Sequence, residues 1–387
     1  VQDRTKGGVA ANILISGDVG CGKTVVALLA AILAWENGYQ SIVMAPTLVL
    51  AKQHFEEMSK LAAPLGIHFA LLTSEVKAVQ RRKLLKGLSD GSIDILIGTH
   101  SVLSSDLSFN ALGMTIVDEE HRFGTEQKQI LEGFDKLGAH HIAMTATPVP
   151  RSYASSIYAG TVDFITIETM PAGRKPIITK IEVDRTKVYD ALLQQVHEGH
   201  QGYVVCPFIV DSDNQKFSDV LSVTTVTEEL VRYCRMKDPT VKVACISGDM
   251  KQADMLAVID QFAAGDIHLL VSTTIIEVGV NVPNATAIAI MNAERFGLAA
   301  LHQLRGRVGR KGDQGYCYLV SSTLTERLEI LTKYHNGFKI AEMDLKLRGP
   351  GDILGADQTG NSAIIDLIIR WPRLSASIRN YFQQKLN

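Results

Sequence analysis

The sequence predicts an α/β protein of two tandem domains, each built on a parallel sheet, with a helical and glycine-bearing tail. Three observations predict it. Short apolar runs alternate with helix-length amphipathic segments, the alternation occurs twice with a Pro- and Gly-bearing stretch between, and a glycine-rich phosphate-loop pattern sits at the first strand-to-helix junction. A chain of 387 residues suits two domains and an appendage at ~100–200 residues per domain.

ANILIS (11–16), SIVMAP (41–46), DILIGT (94–99), MTIVDEE (114–120) and HIAMTAT (141–147) read as buried strands, each ending in polar or glycine residues. Helices fill the intervals. Leu48–Leu61, for instance, places Leu50, His54, Met58 and Leu61 on one face and Lys52, Glu56 and Lys60 on others. This first domain spans 1–150. ETMPAGRKPIIT (168–179) marks a linker, which occupies 151–178. The pattern resumes over 179–322 with GYVVCPF (202–208), VKVACIS (241–247), IHLLVST (267–273), ATAIAIMN (285–292) and GYCYLVSS (315–322). The tail, 323–387, reads helical up to LRGPGDILGADQTG (347–360), whose glycines and proline demand a loop, and then amphipathic again. Parallel sheets place functional loops at the carboxyl ends of their strands.

Composition narrows the class. Hydrophobic residues make up 46% and charged residues 21%, without low-complexity tract, repeat or heptad run, as in a folded soluble protein. The net charge of −2 means that a nucleic-acid surface has to be a local patch. Cys21, Cys206, Cys234, Cys245 and Cys317 lack CxxC or Cys/His spacing, so neither a disulfide framework nor a zinc site is indicated. No window reaches the ~18 apolar residues of a membrane span and the N-terminus has no signal-like apolar region, so a cytoplasmic protein without membrane partner is expected; a monomer is expected as well. Because the chain reaches a motif within twenty residues of Val1, it reads as a fragment whose earlier domains are missing.

GDVGCGKT (17–24) follows a predicted strand and precedes the helix beginning VVALLAAILAW, the context that gives a phosphate loop its meaning. Gly17, Gly20 and Gly22 let backbone N–H groups curl around phosphate, the helix N-terminus adds partial positive charge, Lys23 reaches the terminal phosphates, and the Thr24 hydroxyl suits Mg²⁺. The competing reading is a tight strand-to-helix turn. MTIVDEEH then ends a strand with Asp118, Glu119, Glu120 and His121. One carboxylate can hold Mg²⁺ while the next orients or deprotonates water, as phosphoryl transfer requires; taken alone, the cluster is also a solvated strand end. HQLRGRVGRKG (302–312) brings Arg305, Arg307 and Arg310 onto one segment, which is either a basic surface turn or a source of arginine fingers. The two-domain layout favours fingers that act when the domains close.

In combination these motifs resemble those of superfamily 2 helicases and translocases over nearly the whole chain. GDVGCGKT resembles motif I, APT (45–47) motif Ia, GTH (98–100) motif Ib, DEEH (118–121) motif II, TAT (145–147) motif III, STTIIEVGVNVPNA (272–285) motif V and QLRGRVGR (303–310) motif VI. Within the superfamily, MTATPVPR, NAERFGLAALHQLRGRVGR and LRGPGDILG are similar to the RecG-type branched-DNA helicases. The transcription-repair coupling factor is the nearest alternative: RGPG favours the RecG type, and DEEH leans toward the coupling factor.

The resemblance implies two RecA-like P-loop domains and a C-terminal helical hairpin and loop, with ATP and Mg²⁺ as cofactors and duplex, forked or branched DNA as partner in recombination and repair. Gly17, Gly20, Gly22, Lys23, Thr24 and Gly279 would bind nucleotide, Thr24 and Asp118 the metal, while Glu119 positions water and Gln303, Arg307 and Arg310 sense the γ-phosphate. Candidates for DNA contact or coupling are Pro46, Thr47, Gly98, Thr99, His100, His121, Thr145, Thr147, Thr273, Thr274, Arg348 and Gln358, each of them also readable as a turn or strand-end residue. Three departures stand out. Asn281 replaces the family's Asp, Ala356 and Asp357 replace Thr-Arg in the tail, and no N-terminal wedge domain precedes the phosphate loop in this sequence. A nucleotide-gated DNA-binding module without unwinding activity is the rival class, and a P-loop metabolic kinase is disfavoured by motifs V and VI.

Overall fold

The computed structural model describes residues 2–5, 10–120, 123, 138–146, 162–171, 173–207, 222–273, 282–310 and 312–348. They divide into two units, one within Val1–Thr169 and one of Met170–Leu347. Both are α/β.

In the first unit, β1 (Asn12–Gly17) runs into α1 (Lys23–Glu36), followed by β2 (Gln40–Met44), α2 (Leu48–Ala62), β3 (Phe69–Leu72), α3 (Ala78–Ser89), β4 (Ile95–Gly98), β5 (Leu112–Val117), β6 (His140–Thr145) and β7 (Asp163–Ile167). All seven strands are parallel, in the order β3-β4-β2-β5-β6-β1-β7. Central strands of such a sheet are covered on both faces and so are largely apolar, as Ile13, Leu14 and Ile15 of β1 are. Successive residues serve opposite layers. Ile13, Ile15, Val43, Ile97 and Ile116 pack with Ala27, Ala31 and Ala34 of α1 and Met58 of α2, while Ile42, Met44, Leu96 and Val117 join Leu84 and Leu88 of α3. The alanines of α1 let that helix lie close to the sheet.

In the second unit, β8 (Ile178–Glu182), α4 (Arg185–His197), β9 (Gln201–Val205), α5 (Val223–Lys237), β10 (Val243–Ile246), α6 (Gln252–Ala264), β11 (Leu269–Ser272), β12 (Ala285–Ile290), α7 (Leu298–Arg305), β13 (Tyr316–Val320), α8 (Glu326–Lys333) and α9 (Gly337–Arg348) follow. The six strands are again parallel, in the order β10-β11-β9-β12-β13-β8. Capping follows the sequence: Asp184 accepts the Thr186 N–H at the start of α4, and Ser222 that of Thr225 at the start of α5.

The two sheets share a device that no sequence repeat announces. Gln40, at the start of β2, donates to the carbonyls of Leu88 and Ile93; Gln201, at the start of β9, donates to those of Phe262 and Ile267. In each unit a buried amide holds the turn between a helix and the strand next to the edge strand, bonding a carbonyl on either side of that turn.

Three features depart from the sequence reading. β7 lies inside the stretch assigned to the linker, and pairs in register with β1 (Ile13 opposite Asp163); the division between units falls at Thr169. α8, and α9 as far as Leu347, belong to the second unit rather than to a separate tail. In the last turn of α2, Ala62 is buried and Leu61 is 63% exposed, so the apolar stripe ends at Met58 and Ala62.

Candidate active site

Because the first sheet is parallel, β1, β2, β4, β5 and β6 deliver their C-terminal loops to one edge. After β1 the chain turns through Gly20 (φ 75°) and Gly22 (φ 97°), left-handed conformations that favour glycine, and Gly22 caps α1. Gly17 is needed for another reason: a Cβ there would lie 2.5 Å from Cys21 Sγ and 3.2 Å from Ile167 Cβ. Lys23 Nζ donates to the carbonyls of Gly17 (2.8 Å) and Asp18 (3.0 Å), which brings the ammonium back across the mouth of the loop. Thr24, the next residue of α1, is half-buried. Burial pushes the Cys21 thiol up against the lowering effect of Lys23, keeping it a thiol.

Asp118 leaves the end of β5 and is buried; its own N–H continues the ladder to the Met44 carbonyl. Its Oδ2 lies 2.9 Å from His54 Nε2, and its Oδ1 accepts the Glu119 N–H at 3.0 Å. Burial raises the pKa of Asp118, but the His54 hydrogen bond, the charge of Lys23 and the Glu119 N–H outweigh it, so the carboxylate is held below its ordinary value. Lys23 and Asp118 thus share one electrostatic environment. Glu119 has φ 51°, one of two described non-glycine residues at positive φ, and its Oε2 accepts the Ala146 N–H at 3.2 Å from the loop after β6. The second carboxylate of the pair is thereby tied to the TAT segment, where Thr145 is buried.

The other strand-end candidates have local roles. Thr47 Oγ1 caps α2 by accepting the Leu50 N–H at 3.4 Å, with Pro46 half-buried before it. Gly98 cannot carry a side chain, since a Cβ would overlap the Leu72 carbonyl; Thr99 is half-buried and donates its N–H to that same carbonyl. His100 is exposed and meets buried Phe123 edge-on, ring centres 5.6 Å apart.

In the second unit, Gln303 and Arg305 lie on α7, with Arg307 and Arg310 just beyond it. Arg305 is a structural clamp. Its Nη1 donates to the carbonyls of Leu331 (2.7 Å) and Tyr334 (2.9 Å), and its Nη2 to His302 Nδ1 (2.9 Å) and the His335 carbonyl (3.3 Å), satisfying the carbonyls at the end of α8. Gln303 and Arg307 are buried and Arg310 is half-buried; the charges of Arg310 and Arg307 both reach Tyr203 of β9. Thr273, after β11, is buried with a hydroxyl that has no hydrogen-bond partner. His121, Thr147, Thr274, Gly279, Asn281, Gln358 and the side chain of Arg348 lie outside the described residues.

Among the described residues no group of three His, Cys, Asp or Glu side chains could hold a metal by itself. That suits Mg²⁺ delivered with a nucleotide, which is held by one or two carboxylates together with phosphate oxygens rather than by a protein cage. The loop glycines, Lys23, Thr24 and an ionised Asp118 make a donor set of that kind. His54 is the one participant missed by sequence reasoning: it sits on the apolar face of α2, and its partner is 64 residues away.

Two parallel sheets in tandem, with a phosphate loop and strand-end carboxylates in the first and an arginine segment in the second, define a helicase core. Residues 2–155 match the DEAD/DEAH box helicase family and residues 185–312 the helicase conserved C-terminal domain. Residues 334–376 match the C-terminal part of domain 3 of the ATP-dependent DNA helicase RecG. The chain is 42% identical over 364 residues to the ATP-dependent DNA helicase RecG of Aquifex aeolicus (strain VF5), covering 91% of this chain and 45% of that protein. It is 44% identical over 355 residues to RecG of Staphylococcus epidermidis (strain ATCC 12228), covering 90% and 50%. The solved structure of RecG bound to a three-way DNA junction matches with a TM-score of 0.75 and 37% identity, over 95% of this chain and 48% of that one. The chain is thus similar to RecG helicases over about nine tenths of its own length, and it spans about half the length of the curated relatives it matches. The Mycobacterium smegmatis helicase Lhr, 19% identical with a TM-score of 0.59 over 80% of this chain and 44% of that one, shares the fold. No helix of the described residues is long and apolar enough to cross a membrane.

Proposed function

We propose that this chain is the ATP-driven motor of a DNA helicase or translocase that acts on duplex or branched DNA in recombination and repair, in the cytoplasm. The observation that carries the reading is the pairing, on one sheet edge, of the Lys23 phosphate loop with the ionised Asp118 and the tethered Glu119. Lys23 and the N–H groups from Gly17, Gly20 and Gly22 bind the phosphates of ATP, with Gly279 of the motif V segment in the same role. Thr24 and Asp118 hold Mg²⁺, which when bound neutralises phosphate charge. Glu119, its carboxylate oriented by the Ala146 N–H, positions and deprotonates the attacking water. Gln303, Arg307 and Arg310 stabilise the charge on the transferring phosphoryl group.

DNA is gripped through its backbone, because a motor has to accept every sequence. Pro46, Thr47, Gly98, Thr99, His100 and Thr273 are the described strand-end candidates for that contact, with His121, Thr145, Thr147, Thr274, Arg348 and Gln358 linking it to the nucleotide. The relatives support the substrate: one solved RecG structure is bound to a three-way DNA junction. A further domain in the longer relatives' remaining length is the proposed source of branch-point specificity. Displacement of a labelled strand from a three-way junction, with ATP and Mg²⁺, tests the reading; release of the strand supports a helicase, and ATP hydrolysis without release would leave a translocase.

A further inference from the structure

His54 is 4% exposed on α2, which is anchored at its start by the Thr47 cap. Its Nε2 meets Asp118 Oδ2 at 2.9 Å, while Nδ1 is buried without a hydrogen-bond partner. A proton on Nδ1 would be a stranded donor costing ~1–3 kcal/mol, so the ring carries its proton on Nε2 and donates to the carboxylate. With Oδ1 receiving the Glu119 N–H, both oxygens of Asp118 have a donor, one from the next residue of the chain and one from α2, 64 residues away.

A histidine that merely filled the core would have no reason to spend its N–H there. Met58, one turn further along α2, fills the core with no polar group to satisfy.

We infer that His54 is a positioning residue: its Nε2–H holds the Asp118 carboxylate in the orientation that receives nucleotide-borne Mg²⁺, and so sets the metal affinity of the site. This rests on the assignment of Asp118 to the metal. Partners that orient metal-holding carboxylates and imidazoles typically contribute 10–100-fold in metal affinity.

The test is Mn²⁺ binding to the whole chain in saturating ADP, read by the loss of the free-ion electron paramagnetic resonance signal. His54→Leu should weaken Mn²⁺ binding about tenfold or more, leaving metal-free ADP affinity unchanged, whereas His54→Gln, whose amide N–H reaches a similar point, should restore it to within a few-fold. Should His54→Leu not fold, His54→Asn, with an amide too short to reach Asp118, takes its place with the same expected loss. Wild-type Mn²⁺ affinity in the folded leucine or asparagine variant, or equal impairment of the glutamine variant, would overturn the inference. Asp118→Asn separates this from the assignment beneath it. If that variant keeps full ADP-dependent Mn²⁺ binding, the metal assignment itself fails; if it loses binding and His54→Leu does not, only the role of His54 falls.

Discussion

Glu119 Oε2 accepts the backbone N–H of Ala146 at 3.2 Å, joining the carboxylate pair after β5 to the loop after β6. The bond orients a side chain whose backbone already stands at φ 51°. Glu119→Gln keeps an acceptor for that N–H and removes the base. Its melting temperature should match that of the parent, and steady-state ATP hydrolysis should fall by about 10²–10⁴-fold with nucleotide binding retained. Unchanged turnover would remove Glu119 from the chemistry.

Arg305 makes a second prediction, on stability rather than on catalysis. It is 2% exposed and spans the carbonyls of Leu331, Tyr334 and His335. A lysine ammonium cannot reach all of them from one point, so Arg305→Lys should destabilise the second unit by about 3 kcal/mol, read as a lower urea midpoint. Arg307→Lys, at a residue assigned to the transferring phosphoryl group, should lower ATP turnover.

The pH dependence of the first unit should carry the signature of His141. Burial pushes its pKa down to about 4, and its Nδ1 pairs with Thr115 Oγ1 at 2.9 Å. The unfolded chain takes up this proton near pH 6.5 and the folded chain only near 4. Stability is therefore complete above about pH 6.5 and is lost as the pH falls toward 4, by up to about 3 kcal/mol from this residue. The urea midpoint, followed through Trp35 fluorescence in a Trp371→Phe background, should fall less steeply between these pH values in His141→Gln.

How much of this was legible in the sequence depends on where each element sits. The central strands β1, β2, β4, β5, β9, β11 and β12 were readable because both faces are covered and each holds a run of buried apolar residues. The strands β3, β7 and β8 lie at sheet edges, with half-buried or alternating patterns, and β7 was absorbed into a supposed linker. The phosphate loop and the carboxylate pair are local in sequence and could be read directly. Three relationships could not. The His54 bond to Asp118, the Ala146 bond to Glu119 and the Arg305 clamp on the end of α8 each join residues that only the sheet order or helix packing brings together. Arg305 was set apart from Arg307 and Arg310 in the sequence, but its own partners were not legible there, because they lie 26–30 residues further along the chain.

The central claim is that a nucleotide site built on Lys23, Asp118 and Glu119 drives movement on DNA. ATP hydrolysis by the chain, measured with Mg²⁺ in the absence and presence of duplex and forked DNA, tests it most directly, with Lys23→Ala as control. The account predicts hydrolysis that rises severalfold with DNA and is abolished by Lys23→Ala. A rate indifferent to DNA, and the same in Lys23→Ala as in the parent chain, would contradict it.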